Sequence, residues 1–431
     1  MFRNYFKIAW RNLFRNKAFA ATNILGLAIG MTCSMLIFLW VHDELSYDQF
    51  HKNYNNIYQI IANRDFKNSI FTDRNMAFPL GPALEKGYPQ ITAAVEMTYR
   101  EQHLFEVGNT RVNKNGYSVS SRFFDIFTWK FLEGNPSSAI ADPGSVVLTR
   151  SSATAFFGKE DPINKTLRID NEPFKVSAVL ADPPPNSSFT FDYIRSFNYT
   201  DSSSKLQMQE WDNSSWNVFI QTTPGANLSA VTKTINDLKH SHSPGDKMSS
   251  YFLFPMNKWR LYSEFKDGKN VGGMIEYVRL FTVIAVIILL IACINFMNLS
   301  TARSEKRAKE VGIRKTLGSD RRKLTWQFLF ESIILTVISF LIALTAVFLL
   351  LPSFNLLIDK QLSLRLDDPV FWLGTLGIIL FTGIIAGSYP AFYLSSFNPL
   401  KVLKGTFVAG KKAILPRRVL VVAQFVISIL L

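Results

Sequence analysis

Three stretches of the sequence combine residue types that could bind a phosphate, a metal ion or a protein partner. Residues 405–412, GTFVAGKK, have the glycine and lysine spacing of a loop that cradles nucleotide phosphates. His240 and His242 offer imidazole nitrogens, which are common metal ligands. Residues 305–324, EKRAKEVGIRKTLGSDRRKL, carry eleven charged side chains in twenty positions, and such a segment could make ionic contacts with another molecule.

The first two stretches lack part of the chemistry that they would need. Lys412 stands where a Ser or Thr hydroxyl would hold the magnesium ion of a phosphate loop. His240 and His242 lie in a Ser-rich stretch without a further ligand pattern, which is typical of solvated loop residues. Metalloprotease, dithiol and serine-hydrolase motifs are missing from the sequence. We therefore predict a chain that is not an enzyme and binds no cofactor or metal ion itself.

The charged stretch has the pattern of a short helix followed by a second one. Gly318 predicts the end of the first helix, and Ser319 or Asp320 predicts a cap on the next. Two pairs of opposite charge stand four positions apart in the favourable order: Glu305 with Lys309, and Glu310 with Arg314.

The apolar side chains of this short helix need a cover. Val311, Ile313 and Leu317 have no hydrocarbon to enter if the helix lies at the membrane surface, so a cytoplasmic partner is one explanation. The other is a solvated loop whose charge serves only membrane topology. The residues alone leave both explanations open.

The elements around this stretch are membrane spans. Four apolar segments, 18–41, 277–302, 324–358 and 369–396, are long enough to cross a hydrocarbon core of about 30 Å. Residues 419–431 predict the start of a fifth span, cut short. The predicted fold class is thus an α-helical membrane protein with four complete spans, the start of a fifth, and a large domain inserted between the first and second.

The basic residues set the orientation of these spans. Residues 1–17, 301–323 and 397–418 carry twenty of the 47 Lys and Arg residues and only three of the 33 acids. By the positive-inside rule these segments face the cytoplasm. The formal net charge of +14 is therefore a topology signal, and nucleic-acid binding is not expected. Residues 1–17 predict a cytoplasmic amphipathic helix, residues 303–323 a cytoplasmic loop helix, 359–368 a short outer loop and 397–418 a basic linker.

Residues 42–276 predict a folded α+β domain outside the membrane. Both cysteines, Cys33 and Cys293, fall in spans, so this domain has no disulfide. Residues 182–189, DPPPNSSF, predict a rigid loop. Its candidate strands are Ile57–Asn63, Ser145–Leu148, Thr166–Ile169 and Phe174–Leu180, and its candidate helices are Leu80–Lys86 and Ser151–Phe157.

Five stretches closely resemble permeases of the MacB/FtsX type, the class called type VII ABC transporters. Residues 310–332, EVGIRKTLGSDRRKLTWQFLFES, resemble the family's E-I-G-I-R-K-A-L-G motif and the Q-F-L-x-E-S that follows it. The other four are 6–30, FKIAWRNLFRNKAFAATNILGLAIG; 123–149, FFDIFTWKFLEGNPSSAIADPGSVVLT; 157–169, FGKEDPINKTLRI; and 386–405, AGSYPAFYLSSFNPLKVLKG. Departures from the family pattern are small: Val311 for Ile, Thr316 for Ala, and Asn164 where Gly is common.

The resemblance implies mechanotransmission: a dimer of cytoplasmic ABC ATPase subunits binds ATP and Mg²⁺, and the loop helix carries its movement to the periplasmic domain. Other implied partners are a second permease half or a homodimer partner, the lipid bilayer and a periplasmic or outer-membrane protein. The resemblance also implies that the chain is located in a bacterial inner membrane. The implied ATPase-coupling residues are Glu310, Val311, Gly312, Ile313, Arg314, Lys315, Leu317 and Gly318, with Arg314 and Lys315 as ionic contacts and Ile313 and Leu317 as apolar anchors.

Function stays open between three classes. An exporter or extractor of amphiphiles such as peptides, lipoproteins or macrolides is the first prediction. The alternatives are an FtsX-like regulator that activates a periplasmic cell-wall hydrolase without transport, and an adaptor without an ATPase.

Glu331 is the single acid within a span, where a carboxylate is either functional or structurally paired; its shallow depth favours structural pairing.

Overall fold

A computed structural model describes residues 11, 17–66, 69–197, 202–246, 248–302, 304–396, 418, 419, 421, 422, 424–426 and 429, with the backbone alone for 202–204 and 304–309. The amphipathic helix over 1–17, the linker over 397–418 with its GTFVAGKK stretch, and the span start over 419–431 lie wholly or mostly outside these residues and stay predictions. The chain divides into two units, one made of residues up to His42 and from Val278 onward, the other of Asp43–Tyr277.

Long apolar helices build the first unit. In the part of the chain that the structure describes, four helices of 27 to 38 residues are long and apolar enough to span a membrane. A rise of 1.5 Å per residue makes each of them longer than the roughly 30 Å hydrocarbon core. They are α1 (Lys17–Leu45), α7 (Met274–Ala302), α9 (Arg321–Ile358) and α10 (Pro369–Ser395), and α8 (Ser304–Thr316) lies between α7 and α9. The four predicted spans are confirmed.

Small residues let these helices approach closely. This is usual in a membrane, because lipid is as apolar as the side chains and the helices must associate through close packing instead of the hydrophobic effect. A Cβ on Gly30 of α1 would lie 2.6 Å from the Ala292 Cβ of α7. A Cβ on Gly387 of α10 would lie 2.7 Å from the Ser332 Cβ of α9. The Ser34 hydroxyl also donates a hydrogen bond to a backbone oxygen of α7, at 2.9 Å. Larger side chains at these positions would force the helices apart.

The turn between α9 and α10 is built from residues that end and begin helices. Asp359 takes a left-handed conformation (φ 52°) directly after α9. The Asp368 side chain then accepts a hydrogen bond from the Val370 backbone N–H at 2.8 Å, and Pro369 occupies the first turn of α10. Asn355 fixes the turn by hydrogen bonds to both backbone groups of Leu362.

The second unit is α+β, as predicted. Its helices are α2 (Leu80–Gly87), α3 (Phe123–Ile126), α4 (Arg150–Phe157), α5 (Ser202–Gln207) and α6 (Leu228–His242). Its strands are β1 (Ile57–Phe66), β2 (Ser69–Asp73), β3 (Met76–Ala77), β4 (Ile91–Met97), β5 (Glu101–Val107), β6 (Thr110–Val119), β7 (Phe131–Glu133), β8 (Ser145–Thr149), β9 (Thr166–Ile169), β10 (Glu172–Leu180), β11 (Tyr193–Ser196), β12 (Ser214–Thr222), β13 (Ser249–Pro255), β14 (Glu264–Lys266) and β15 (Lys269–Gly272). Every predicted strand and helix of this domain is present, and residues 182–189 form a loop.

Six of the described strands close into a ring. Their order is β11, β8, β10, β9, β5 and β6, and β11 pairs with β6 as well as β8. The ring encloses an apolar cluster that includes Phe105, Leu167, Phe174 and Tyr193. Gly116 of β6 is required there, because a Cβ at that position would lie 2.3 Å from the Tyr193 backbone oxygen.

The remaining sheet, with the order β4, β12, β1 and β13, separates two cores. Side chains alternate along β1, so Ile60 packs with α2 and α6 on one face while Ile57 and Ile61 pack on the other. The second core is rich in aromatic rings, such as Phe127 against Phe219 at a centroid distance of 5.5 Å. Cys33 and Cys293 are both unpaired, so among the described residues these apolar cores hold the domain without a disulfide.

One buried acid makes the stability of this domain depend on pH. Glu96 on β4 is 2% exposed, and its Oε1 has no hydrogen-bond partner among the described residues. Burial raises the pKa of this carboxyl from 4.5 to about 7. The folded state therefore keeps a proton that the unfolded chain loses between pH 4.5 and 7, so stability falls as the pH rises through that window.

We expect Glu96→Gln to remove this pH dependence, because the amide has no proton to lose. The wild type should lose about 3 kcal/mol of unfolding free energy between pH 4.5 and 8, from a pKa rise of roughly 2.5 units. Chemical denaturation of the chain in detergent, followed by tryptophan fluorescence, measures this. Glu160→Gln, at an exposed carboxyl, is the matched control and should behave as wild type. Parallel pH profiles for wild type and Glu96→Gln would contradict the assignment.

Candidate functional site

The charged stretch forms the predicted helix and ends where the sequence indicates. α8 is followed by Gly318 in a left-handed conformation (φ +90°). The Ser319 N–H donates to the Arg314 carbonyl at 3.0 Å and the Gly318 N–H donates to the Lys315 carbonyl at 3.1 Å. These two bonds are the Schellman pattern, which satisfies carbonyl groups at the end of a helix. The turn therefore fixes how α8 leads into α9.

The cap predicted on α9 is only half present. Asp320 occupies the position before the first turn with extended backbone angles (φ −66°, ψ 152°), but its side chain accepts no hydrogen bond from that turn. Its carboxylate instead lies 3.7 Å from the Lys323 ammonium group. The backbone carbonyl of Asp320 accepts from the Leu324 N–H at 3.2 Å, so the helix begins without a side-chain cap.

Val311 anchors α8 to the spans. Its side chain is 1% exposed and packs in a cluster with Leu324 and Phe328 of α9 and with Ala391 and Leu394 of α10. Val311 therefore needs no separate partner to cover it, because the Gly318 turn folds α8 back against its own neighbours. Gly312 is buried as well.

Arg314 adds a polar link between α8 and α9. Its guanidinium lies 2.6 Å from the Glu310 carboxylate one turn earlier, and it donates a hydrogen bond to the Gln327 side chain at 2.8 Å. Gln327 is buried on α9. It is the first residue of the QFLFES stretch, 327–332, but its position in the sequence does not indicate a contact with Arg314. The predicted ionic contact of Arg314 thus has intramolecular partners, Glu310 and Gln327, and its first effect is to hold α8 in place.

A smaller surface of α8 faces outward. Leu317 is 81% exposed and Ile313, four residues earlier, is 50% exposed. Positions four apart share one face of a helix, so these two side chains form a continuous apolar patch. Lys315 stands two positions from each of them, so it lies on another side of the helix. It is half-buried, and burial together with the neighbouring Arg321 cation lowers the pKa of its ammonium group. We call Ile313 and Leu317 the outward patch.

Glu331 lies inside the helix bundle. It is 8% exposed and faces a cavity of about 20 Å³, close to the space that one water molecule needs. The cavity lining also includes Ser300, Ser332, Phe19, Phe296, Phe328, Leu335, Pro390 and Leu394. Structural pairing of this carboxylate stays a prediction.

The two histidines are not in a loop, which corrects the sequence prediction. They stand in the last turn of α6, where an amphipathic pattern outweighs the Ser-rich composition. A ring nitrogen of His240 lies 3.0 Å from the Ser249 carbonyl, and the His242 ring stacks on Trp211 at a centroid distance of 4.0 Å. Among the described residues, no group of three or more His, Cys, Asp or Glu side chains is arranged for a metal ion.

Two family models account for most of the chain. The model of the MacB-like periplasmic core domain matches residues 20–238, and the model of the FtsX-like permease C-terminal domain matches residues 282–399. The chain belongs to the MacB/FtsX-like permease family. The permease is therefore a multi-pass membrane protein with a periplasmic domain, and α8 with its Gly318 turn lies within the FtsX-like match.

Curated relatives of the permease have low sequence identity but long alignments. The macrolide export ATP-binding/permease protein MacB of Salmonella typhi is 21% identical over 93% of this chain and 60% of its own length. The MacB of Burkholderia lata is 25% identical over 92% of this chain and 56% of its own length. The permease chain thus spans about 60% of the length of these relatives.

Two solved structures are similar to part of the permease. A domain of a permease protein from Porphyromonas gingivalis is 17% identical, with a TM-score of 0.42, and the match covers 48% of this chain and 92% of that one. The periplasmic region of MacB from Actinobacillus actinomycetemcomitans is 19% identical, with a TM-score of 0.36, over 48% of this chain and 92% of that one.

The packing of α8 predicts opposite effects of one substitution at two positions. Val311→Asp should destabilise the membrane unit by about 3 kcal/mol or more, because it removes buried contacts and places a carboxylate in an apolar cluster. Leu317→Asp should leave stability unchanged, because that side chain is 81% exposed. Thermal loss of the monodisperse peak in detergent, measured by size-exclusion chromatography, reports both. Equal melting of the two variants would contradict the inward orientation of Val311.

Proposed function

We propose that this permease couples ATP hydrolysis by a cytoplasmic ABC ATPase dimer to movement of its periplasmic domain. The observation that carries the proposal is the two-sided construction of α8. Its inner face is fixed to α9 and α10 through Val311 and the contact of Arg314 with Gln327. Its outer face presents the outward patch, Ile313 and Leu317, for which the described chain provides no cover. A partner that binds this patch has a stiff connection to two spans.

The outward patch fits a protein partner better than it fits a role in topology. Positive-inside topology requires charge, and a Leu side chain that is 81% exposed in water adds nothing to it. An exposed apolar pair on a helix rich in charged residues is instead the composition of a small interface centre, in which apolar side chains supply affinity and charges supply orientation. Lys315, on another side of α8, keeps the ionic contact that the sequence predicts.

We assign ATP and Mg²⁺ to the partner and none to this chain. The GTFVAGKK stretch lacks the hydroxyl that a phosphate loop needs for magnesium. The coupling residues are Ile313 and Leu317 for binding, and Glu310, Val311, Gly312, Arg314 and Gly318 for holding α8 in position. The assembly is completed by a second permease half or a second copy of this chain, in a bacterial inner membrane.

The movement serves export or extraction of amphiphilic cargo. The curated relatives are named for macrolide export, and a large periplasmic domain with its own cores can be moved as a body. Cargo-stimulated ATP turnover by the complete assembly is the expected signature. Direct binding of a cell-wall hydrolase, with no effect of cargo on ATP turnover, would instead support the alternative function, a regulator that activates such a hydrolase without transport.

Co-purification tests the proposed partner. Leu317→Asp should abolish recovery of the ATPase with the permease, because a charge replaces an apolar anchor. Leu366→Asp is the matched control, because Leu366 is also exposed (52%) and lies in the predicted outer loop, 359–368, on the other side of the membrane. It should leave recovery unchanged. Affinity purification in detergent with mass spectrometry measures both.

Two outcomes contradict the proposal. Equal ATPase recovery with wild type and Leu317→Asp would show that the outward patch is not the binding surface. If no ATPase is recovered even with the wild-type permease, under conditions where the second permease half is retained, the result would favour the third function class, an adaptor that works without an ATPase.

A further inference from the structure

Charged side chains occupy one mouth of the six-strand ring in the periplasmic domain. Side chains alternate along a strand, so Glu101 and His103 of β5 lie on the same face as Phe105, which packs in the apolar cluster inside the ring. Arg195 of β11 shares a face with Tyr193 of the same cluster. The side chains of His103 and Arg195 are 18% and 19% exposed. They therefore lie where the interior of the ring meets the solvent.

Asp170 fixes one side of the His103 ring. It lies in the turn between β9 and β10, and one oxygen of its carboxylate accepts a hydrogen bond from the Leu104 N–H at 3.0 Å. The other oxygen contacts Nδ1 of His103. An ionised carboxylate accepts hydrogen bonds and does not donate them, so Nδ1 carries a proton. The protonation of His103 can therefore change only at Nε2.

Nε2 of His103 has two neighbours with opposite requirements. Nη2 of Arg195 lies 3.0 Å from it, and Oε2 of Glu101 lies 3.2 Å from it. A guanidinium group only donates, so the hydrogen bond from Arg195 requires an Nε2 without a proton. The Glu101 carboxylate only accepts, so its hydrogen bond requires Nε2–H. One proton thus decides which of these two side chains His103 binds.

The remaining charged and titratable groups around His103 do not compete for Nε2. Lys114 of β6 stands directly opposite His103 in the sheet, but its ammonium group pairs with the Asp192 carboxylate at 3.6 Å. The Tyr193 ring lies 6.2 Å from the His103 ring between centroids, and burial raises the pKa of its hydroxyl well above the ordinary value of 10. The titration of His103 is therefore governed by its three direct neighbours.

These neighbours favour the protonated form of His103. The hydrogen bond with Glu101 is the main cause that raises the pKa of His103 above its ordinary value of 6.5, and Asp170 acts in the same direction. Burial and the Arg195 cation oppose this rise. Because the pKa is higher in the folded chain, protonation stabilises the domain below pH 6.5, and this stabilisation is lost as the pH rises through the pKa of His103.

We propose that His103 is a pH-operated switch at the mouth of the ring. The neutral imidazole accepts from Arg195 and joins β5 to β11, two strands that are not neighbours in the ring. The imidazolium donates to Glu101 and releases the Arg195 guanidinium, which then keeps the contact of its Nε with the Ser118 hydroxyl, at 2.9 Å. We call Glu101, His103, Asp170 and Arg195 the histidine switch. It goes beyond the proposed function, because it requires neither an ATPase nor cargo.

NMR spectroscopy of the full-length chain in lipid nanodiscs, with ring-15N-labelled histidine, tests the histidine switch. The chain has five histidines, and the His103 signals are those that disappear in His103→Gln. The 15N chemical shifts report which ring nitrogen carries a proton. We expect neutral His103 to carry its proton on Nδ1, and to gain the second proton on Nε2 with a pKa above 6.5.

Two substitutions should shift the pKa of His103 in opposite directions. Glu101→Gln should lower it, because the carboxylate that stabilises the imidazolium is gone. Arg195→Met should raise it, because a nearby cation and the donor to the neutral imidazole are both removed. Glu160→Gln, at an exposed carboxylate that pairs with Lys165, is the matched control and should leave the pKa of His103 unchanged.

Chemical modification measures the release of Arg195. Phenylglyoxal reacts with accessible guanidinium groups, and mass spectrometry compares Arg195 in each sample with Arg111, whose side chain is 71% exposed. In the wild type, the ratio of Arg195 to Arg111 modification should rise as the pH falls through the pKa of His103. In His103→Gln the ratio should stay constant, because the amide does not titrate.

The outcomes either support or overturn the histidine switch. A proton on Nε2 of neutral His103, a pKa that neither substitution shifts, or a constant modification ratio in the wild type would each overturn it. Opposite pKa shifts, together with a modification ratio that depends on pH in the wild type alone, support it. Neither result depends on whether an ATPase binds the outward patch.

Discussion

A hydrocarbon core that solvates neither charges nor free backbone groups is the constraint on which the rest of this molecule depends. It forces the apolar runs into four long helices of the described chain, and by the positive-inside rule we expect the clustered Lys and Arg residues on one side. It also makes helix contacts depend on small residues such as Gly30 and Gly387. What remains for function lies at the edge of this core, where charged and apolar side chains meet.

The inner edge shows how local chemistry gives α8 two different faces. A Schellman turn at Gly318 folds α8 against α9 and α10. Val311 of α8 then packs in an apolar cluster with side chains of these two helices. Leu317 is left in water by the same turn.

The sequence predicts the features that depend on local pattern. Uninterrupted apolar length indicates the spans, alternation indicates strands such as Thr166–Ile169, and Gly318 indicates the end of α8. Contacts between distant residues follow from no such pattern. The burial of Val311, the contact of Arg314 with Gln327 and the pairing of β11 with β6 depend on where elements meet. Composition also misplaced His240 and His242 in a loop, because apolar residues at helical spacing outweigh serine content.

Site-specific cross-linking in cells tests the central claim, that the outward patch is the surface on which a cytoplasmic ATPase acts. A photoreactive phenylalanine derivative at Leu317, with the same residue at Leu366 as the control, captures whatever lies against each position. The account predicts a covalent product between the Leu317 derivative and an ABC ATPase subunit, and none from Leu366. Capture of lipid alone at Leu317, or of the same proteins at both positions, would contradict it.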